Sequence, residues 1–264
     1  MNGIVSRLET LFLPLRIAAA FGGPHPLSLL LKSYRVIASI GIGKRRSEII
    51  ELSFRGVRIP FHLESSTDFA LIREVFLDEE YRHELLSDIR TIFDIGANVG
   101  AASLYFHALY PDAIIHAFEP DPDIYTKLVE RTKDIPQIVT HKYALGAADG
   151  IATFYATGSS LAGSLLPRGG TQSDVPVRSI ASVAHELKLS KIDLVKFDIE
   201  GAERTLFEDA ANRAPCRALI GEVHLDLMGL SEEEEFLALL PEYDASYVRN
   251  LGKRRYILYG TRKK

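Results

Sequence analysis

The sequence predicts an α/β protein of the Rossmann-like kind, with a mostly parallel seven-stranded sheet and helices on both faces. Three observations predict it. From Thr91 onward, short apolar runs alternate with helical stretches, the pattern of a parallel sheet covered on both sides. The first run ends in Asp94-Ile95-Gly96-Ala97-Asn98-Val99-Gly100, directly before a helical stretch. The second ends in Phe118-Glu119-Pro120, which sets an acid nineteen residues after Gly100.

Each element follows from local pattern. Strands are expected at Thr91–Ile95, Ala113–Phe118, Ile138–Tyr143, Asp193–Asp198 and Ala218–His224. Two late strands, near Tyr243–Arg249 and Arg255–Tyr259, have no helix between them, so one of them runs antiparallel. Ala101–Tyr110, Ile124–Lys133 and Ala202–Ala210 read as helices. Upstream, Ile4, Leu8, Leu11, Phe12 and Leu15 recur at helical spacing, and that helix is expected to end near Pro14 to Arg16. A second helix runs from Leu27 to about Ile40 and stops at Gly41 and Gly43. Residues 49–61 alternate as a hairpin, and Asp68–Leu77 and Tyr81–Leu86 look helical. This divides the chain into an extension over residues 1–64 and a main domain over 65–264.

Composition narrows the function classes. With 47% hydrophobic and 25% charged residues the chain can build a sizeable core. The single Cys216 excludes an internal disulfide and a thiolate metal cluster; it reads as a packing residue. The net charge of −4 gives no reason to expect a nucleic-acid partner. Residues 1–46 differ, carrying seven basic groups against one acid, Glu9. No run is apolar enough for a transmembrane helix, and a cytoplasmic protein is expected. The basic segment suits packing on the body, a dimer contact or a substrate lid; an anionic membrane surface is the less favoured use.

Chemistry is expected beyond the carboxyl ends of the strands, where ligands of such sheets bind. Gly96 and Gly100 let the chain turn sharply and let a ligand approach the backbone. Glu119 has the position to hydrogen-bond both ribose hydroxyls of a nucleoside. A dinucleotide site wants G-x-G-x-x-G, so that a pyrophosphate can lie on bare backbone; here Asn98 and Ala101 stand in that frame. The loop therefore favours S-adenosylmethionine over NAD, with Asp94 facing the cofactor's ammonium group and Ala144 and Leu145 bordering its adenine. Asp198 and Glu200 end the fourth strand. Glu222 and His224 end the fifth, two residues apart and thus on one face. His224 is a candidate base, since imidazole titrates near neutrality. Glu203 reads as complementing a helix dipole. No metal site is assigned, although Asp198, Glu222 and His224 form an alternative divalent set.

These runs, with Lys196-Phe197-Asp198-Ile199-Glu200-Gly201-Ala202-Glu203 the most specific, resemble the FkbM-type methyltransferases. The resemblance implies a class I methyltransferase fold and S-adenosylmethionine as methyl donor. It also implies a small-molecule acceptor, a hydroxyl on a sugar or secondary metabolite. On the implied site, Asp94, Gly96, Asn98, Gly100, Glu119, Pro120, Ala144, Leu145 and Asp198 bind the cofactor, while Asp198, Glu200 and His224 serve catalysis. One departure is Ser179-Ile180-Ala181-Ser182, where the family often has Leu-Asp, which puts a helix cap or substrate contact in question. A nicotinamide-dependent oxidoreductase and a non-catalytic nucleoside-binding partner protein are the rival readings.

Overall fold

The computed structural model describes residues 2–44, 46–82, 86–156, 163–167, 170–229 and 233–264, with side chains from residue 12 onward. The chain forms two compact units: Met1–Glu80 with Leu104–Leu109, and Tyr81–Ser103 with Tyr110–Lys264.

In the first unit, helices α1 (Asn2–Phe21) and α2 (Pro26–Gly41) precede a hairpin of β1 (Glu48–Phe54) and β2 (Val57–Leu63). Arg55 and Gly56, both at positive φ, make its two-residue turn. A short helix α3 (Ser66–Leu71) continues as a π-helical stretch over Ile72–Leu77. Two expectations are corrected here. Helix α1 does not stop near Pro14 but passes through it to Phe21, because Leu13, Ile17, Ala18 and Phe21 give the longer helix a buried face. That face is not the expected one: Phe12 and Leu15 are 52% and 43% exposed. The side chains of Ile4, Leu8 and Leu11 lie outside the described ones. Phe21, Phe54, Phe61, Phe76 and Tyr105 form an aromatic core with mostly edge-on contacts. Phe76 ties the π-helical stretch to the hairpin, so this unit extends beyond residue 64, where the sequence placed a boundary. Tyr81, Arg82 and Leu86 are not helical, and residues 83–85 lie outside the described ones.

The second unit is built on a seven-stranded sheet. Its strands are β3 (Thr91–Ile95), β4 (Ile114–Phe118), β5 (Ile138–His141), β9 (Leu194–Phe197), β10 (Ala218–His224), β11 (Tyr243–Gly252) and β12 (Arg255–Arg262). The order is β5-β4-β3-β9-β10-β12-β11. Pairings from β5 to β10 are parallel, whereas β12 runs antiparallel to β10 and β11. Central strands carry continuous apolar runs because both faces are covered. Phe93, Phe118, Val195, Phe197, Leu219 and Val223 join one core. Strand order reverses between β3 and β9, and the crevice at such a switch point is where the fold binds ligands.

A second sheet was not expected. It has three strands, β6 (Ala144–Leu145), β7 (Gly150–Ala156) and β8 (Thr171–Arg178), in the order β6-β8-β7. Ala144 and Leu145 therefore do not end the third strand of the main sheet, which stops at His141. Residues 157–162 and 168–169 lie outside the described ones. The question at Ser179 is answered by its hydroxyl, which accepts the Ser182 N–H at 3.0 Å and caps helix α6 (Ile180–Glu186). Cys216 is buried, as expected of a packing residue.

Helix α5 (Pro122–Thr132) follows Glu119 and is capped by Asp121, whose carboxylate accepts the N–H groups of Asp123 and Ile124. Asp121→Ala is expected to cost about 1 kcal/mol of stability. Urea unfolding checks this, and an unchanged midpoint would mean that the cap is idle.

Candidate functional site

The loop after β3 is shaped by backbone that only particular residues tolerate. Gly96 sits at φ +74, and a Cβ there would lie 2.0 Å from the carbonyl oxygen of Asp198. The loops after β3 and β9 thus touch, and only glycine permits it. Gly100 is at φ +91 with the Leu128 side chain against it, and Asn98 is also at positive φ. The N–H groups of Gly96 and Ala97 donate to the Phe118 carbonyl at 3.1 and 2.9 Å, joining this loop to the end of β4.

Glu119 stands at that junction, 7% exposed. Its carboxylate accepts the Asn98 N–H at 3.0 Å and the Asp121 N–H at 2.9 Å. Burial pushes its pKa up to about 7, against the lowering effect of these two N–H groups and Lys196. Pro120 is half-buried beside it.

Asp94, Ala144 and Leu145, all sequence-predicted cofactor positions, lie deep in the protein. Asp94 is 0% exposed, with Oδ2 accepting the Ser103 hydroxyl at 2.6 Å and Oδ1 lying 3.0 Å from the Lys196 ammonium. Both oxygens face groups of the protein, and Asp94 ties the loop to Lys196 beneath it. Lys196 also donates to the Gly96 carbonyl at 3.0 Å, fixing the turn from below. Ala144 and Leu145 are 5% and 2% exposed, and Leu145 packs into the core that contains Phe118.

At the ends of β9 and β10, four carboxylates gather round one imidazole. His224 is 0% exposed, and its Nδ1 pairs with Glu203 Oε1 at 2.9 Å. Its Nε2 lies 3.2 Å from Glu222 Oε1, 3.8 Å from Glu200 Oε2 and 4.0 Å from Asp198 Oδ1, yet makes no well-aligned hydrogen bond among the described residues. Burial alone would lower the His224 pKa. The Glu203 and Glu222 carboxylates, with Asp198 behind them, outweigh it and push it up to about 11. Glu222 is pushed upward by its own burial and by Asp198. Glu200 is held at φ +54, a strained backbone for a side-chain-bearing residue, and its carbonyl accepts the Ser164 hydroxyl at 2.8 Å. Asp198 has 28% of its side chain exposed, Glu222 15% and Glu200 14%, so these three face the crevice while Glu203 and His224 lie beneath.

The structure thus brings Asp198, Glu200, Glu222 and His224 together, as the strand-end positions predict. Sequence reasoning missed the part played by Glu203. Instead of merely facing a helix dipole, it also accepts the Gly201 N–H at 3.1 Å and orients His224. Arg255 was missed as well. It is the register partner of His224 on β12, and its guanidinium is 3.9 Å from Glu222; that antiparallel register was the only signal available.

Residues 94–247, more than half of the chain, match the methyltransferase FkbM domain. Among curated proteins, the chain is similar to the 31-O-demethyl-FK506 methyltransferase FkbM of Streptomyces tacrolimicus. The two are 26% identical over 207 residues, 62% of this chain and 77% of that protein. It is also similar to the hexuronic acid methyltransferase AglP of Haloferax volcanii, at 24% identity over 68% of this chain and 75% of that one. Among solved structures, the Methanococcus jannaschii fibrillarin pre-rRNA processing protein superposes with a TM-score of 0.49 at 10% identity, covering 82% of each chain.

Proposed function

The chain belongs to the FkbM methyltransferase domain family and is an S-adenosylmethionine-dependent methyltransferase; we propose that its acceptor atom is a hydroxyl oxygen on a sugar or secondary metabolite. The residues present fit the cofactor. Glu119 retains lone pairs for a ribose diol at the junction of β3 and β4, and Gly96 leaves the backbone bare beside it. The neighbouring carboxylate cluster complements a sulfonium and would repel a pyrophosphate. When bound, the cofactor supplies an electrophilic methyl group, so the protein's task is to align the acceptor and relieve it of a proton.

The observation that carries the oxygen acceptor is the exposure gradient within the cluster. Asp198 is its most exposed member and the one able to touch an acceptor hydroxyl and take its proton. Glu200 lines the same crevice and orients a polyhydroxyl acceptor. His224, fully buried, touches no acceptor; it acts through the carboxylates as a positioning residue, in place of the base role its type suggested. The names of the relatives above, one acting on a hexuronic acid, support an oxygen acceptor of this class.

Calorimetry is expected to show micromolar binding of S-adenosylhomocysteine, on the order of 8 kcal/mol. Glu119→Ala should weaken it by about 2 kcal/mol, the scale for losing a charged hydrogen-bond partner. Isotope-labelled methyl transfer to a panel of sugars and hydroxylated metabolites, read by carbon NMR, identifies the atom that is methylated. A methyl group found on nitrogen or carbon overturns the oxygen acceptor, and NAD binding in place of S-adenosylhomocysteine revives the oxidoreductase reading.

A further inference from the structure

We propose that Asp198, Glu200 and His224 form a binding site for one divalent first-row transition ion at the acceptor side of the crevice; the inference rests on the methyltransferase reading only for the use made of the ion. One ligand atom from each residue lies within 4.8 Å of the other two. Three ligand atoms spread evenly round a small divalent ion lie about 3.6 Å apart, given bonds of about 2.1 Å. The two pairs at 3.8 and 4.0 Å therefore need a contraction of a few tenths of an ångström, and the widest pair, within 4.8 Å, one of up to about 1 Å.

The acidic cluster alone would not carry this. The second observation is the imidazole. His224 is fully buried, and its Nε2 is aimed among the carboxylates without a hydrogen bond to any described residue, as is Asp198 Oδ1. Meanwhile Nδ1 is held by Glu203 Oε1 at 2.9 Å. A carboxylate on one ring nitrogen that leaves the other free is how proteins orient a histidine ligand toward a metal. The charge balancing the carboxylates is then the ion in place of a proton on Nε2.

The donor set points to the class of ion. One imidazole nitrogen with two carboxylates suits manganese, iron or zinc, whereas calcium and magnesium take oxygen ligands. Asp198 and Glu200 keep exposed faces, which leaves positions on the ion open toward the crevice. A polyhydroxyl acceptor can occupy them, held with its oxygen beside the cofactor. Glu222, at 3.2 Å from Nε2, flanks the site.

The test is equilibrium dialysis of the full chain, stripped with EDTA, against manganese chloride, with free manganese read by electron paramagnetic resonance and zinc as a second probe. One ion per chain is expected. Asp198→Asn and Glu200→Gln, both near-isosteric, should each weaken binding by at least about tenfold, the scale for disturbing a metal's ligands or their supports. Circular dichroism confirms that each variant is folded. Absence of saturable binding up to concentrations on the order of 1 mM, the weakest class of divalent site, overturns the proposal. So does binding that both variants leave unchanged, since the ion would then sit elsewhere. S-adenosylhomocysteine binding on the same samples separates the two readings. A chain that binds the nucleoside but no ion loses only the metal site; one that binds the ion but no nucleoside loses the methyltransferase assignment.

Discussion

Lys196→Met is expected to lower stability by about 3–5 kcal/mol, the cost of leaving one partner of a buried ion pair uncompensated. The Lys196 and Asp94 side chains are 3% and 0% exposed and 3.0 Å apart. Burial penalises the ammonium, but Asp94 and Asp198 outweigh that penalty and raise its pKa, so the charge is kept. Methionine fills a similar volume and removes only the ammonium. Asp94 would then be left with the Ser103 hydroxyl as its remaining partner, a poor substitute for a cation. Urea unfolding of the variant measures the loss. A second variant, Lys196→Met with Asp94→Leu, removes both charges and should recover much of it, because a buried pair replaced as a whole is often neutral. A loss under about 1 kcal/mol in the single variant would show that the pair is dispensable.

That pair also shows where the sequence stops being informative. The strands at Thr91, Ile114, Leu194 and Ala218 are legible because their apolar runs are short and bounded. The acids and the imidazole at strand ends are legible for the same reason, since a strand fixes both their depth and their face. What is not legible is depth along a side chain. Asp94 and Glu119 both end strands, and both look like ligand acids. Only the packing of Lys196 beneath the loop shows which of them is ion-paired inside the protein.

The misreadings have similar causes. His141 ends its strand, and the chain crosses to a second sheet at Ala144 whose partner strand lies beyond Thr171; no local periodicity marks that long-range pairing. Pro14 looks like a helix stop, yet the apolar residues on its far side, Ile17 and Phe21, carry the helix onward. The Glu203–His224 contact joins residues in different elements, so neither spacing nor residue type announces it. Strand ends are thus readable one residue at a time, whereas the contacts that set charge and orientation are not.

Affinity for S-adenosylhomocysteine is expected to rise with pH and to level off above about pH 7, a gain of about 30-fold at most, the fold-change equivalent to the roughly 2 kcal/mol assigned to Glu119. The cause is Glu119. Its folded pKa is raised by burial to about 7, with Asp121 at the start of α5 adding to the rise and Lys196 on β9 opposing it. A ribose diol donates two hydrogen bonds, and only the ionised carboxylate accepts both with full strength. Below about pH 7 binding is therefore coupled to loss of a proton, and calorimetry in buffers of different ionisation enthalpy should record proton release there that fades above about pH 7. Stability changes the other way. Between the unfolded pKa near 4.5 and the folded one near 7, the native state holds a proton that the unfolded chain has lost. The unliganded protein therefore loses about 3 kcal/mol from this group as pH rises through that window, and nothing further above it. Glu119→Gln keeps the shape and removes the titration, so it should bind weakly at every pH and flatten both profiles. If the variant keeps the wild-type slope of affinity against pH, the titrating group is another one, with the carboxylates around His224 the next to test.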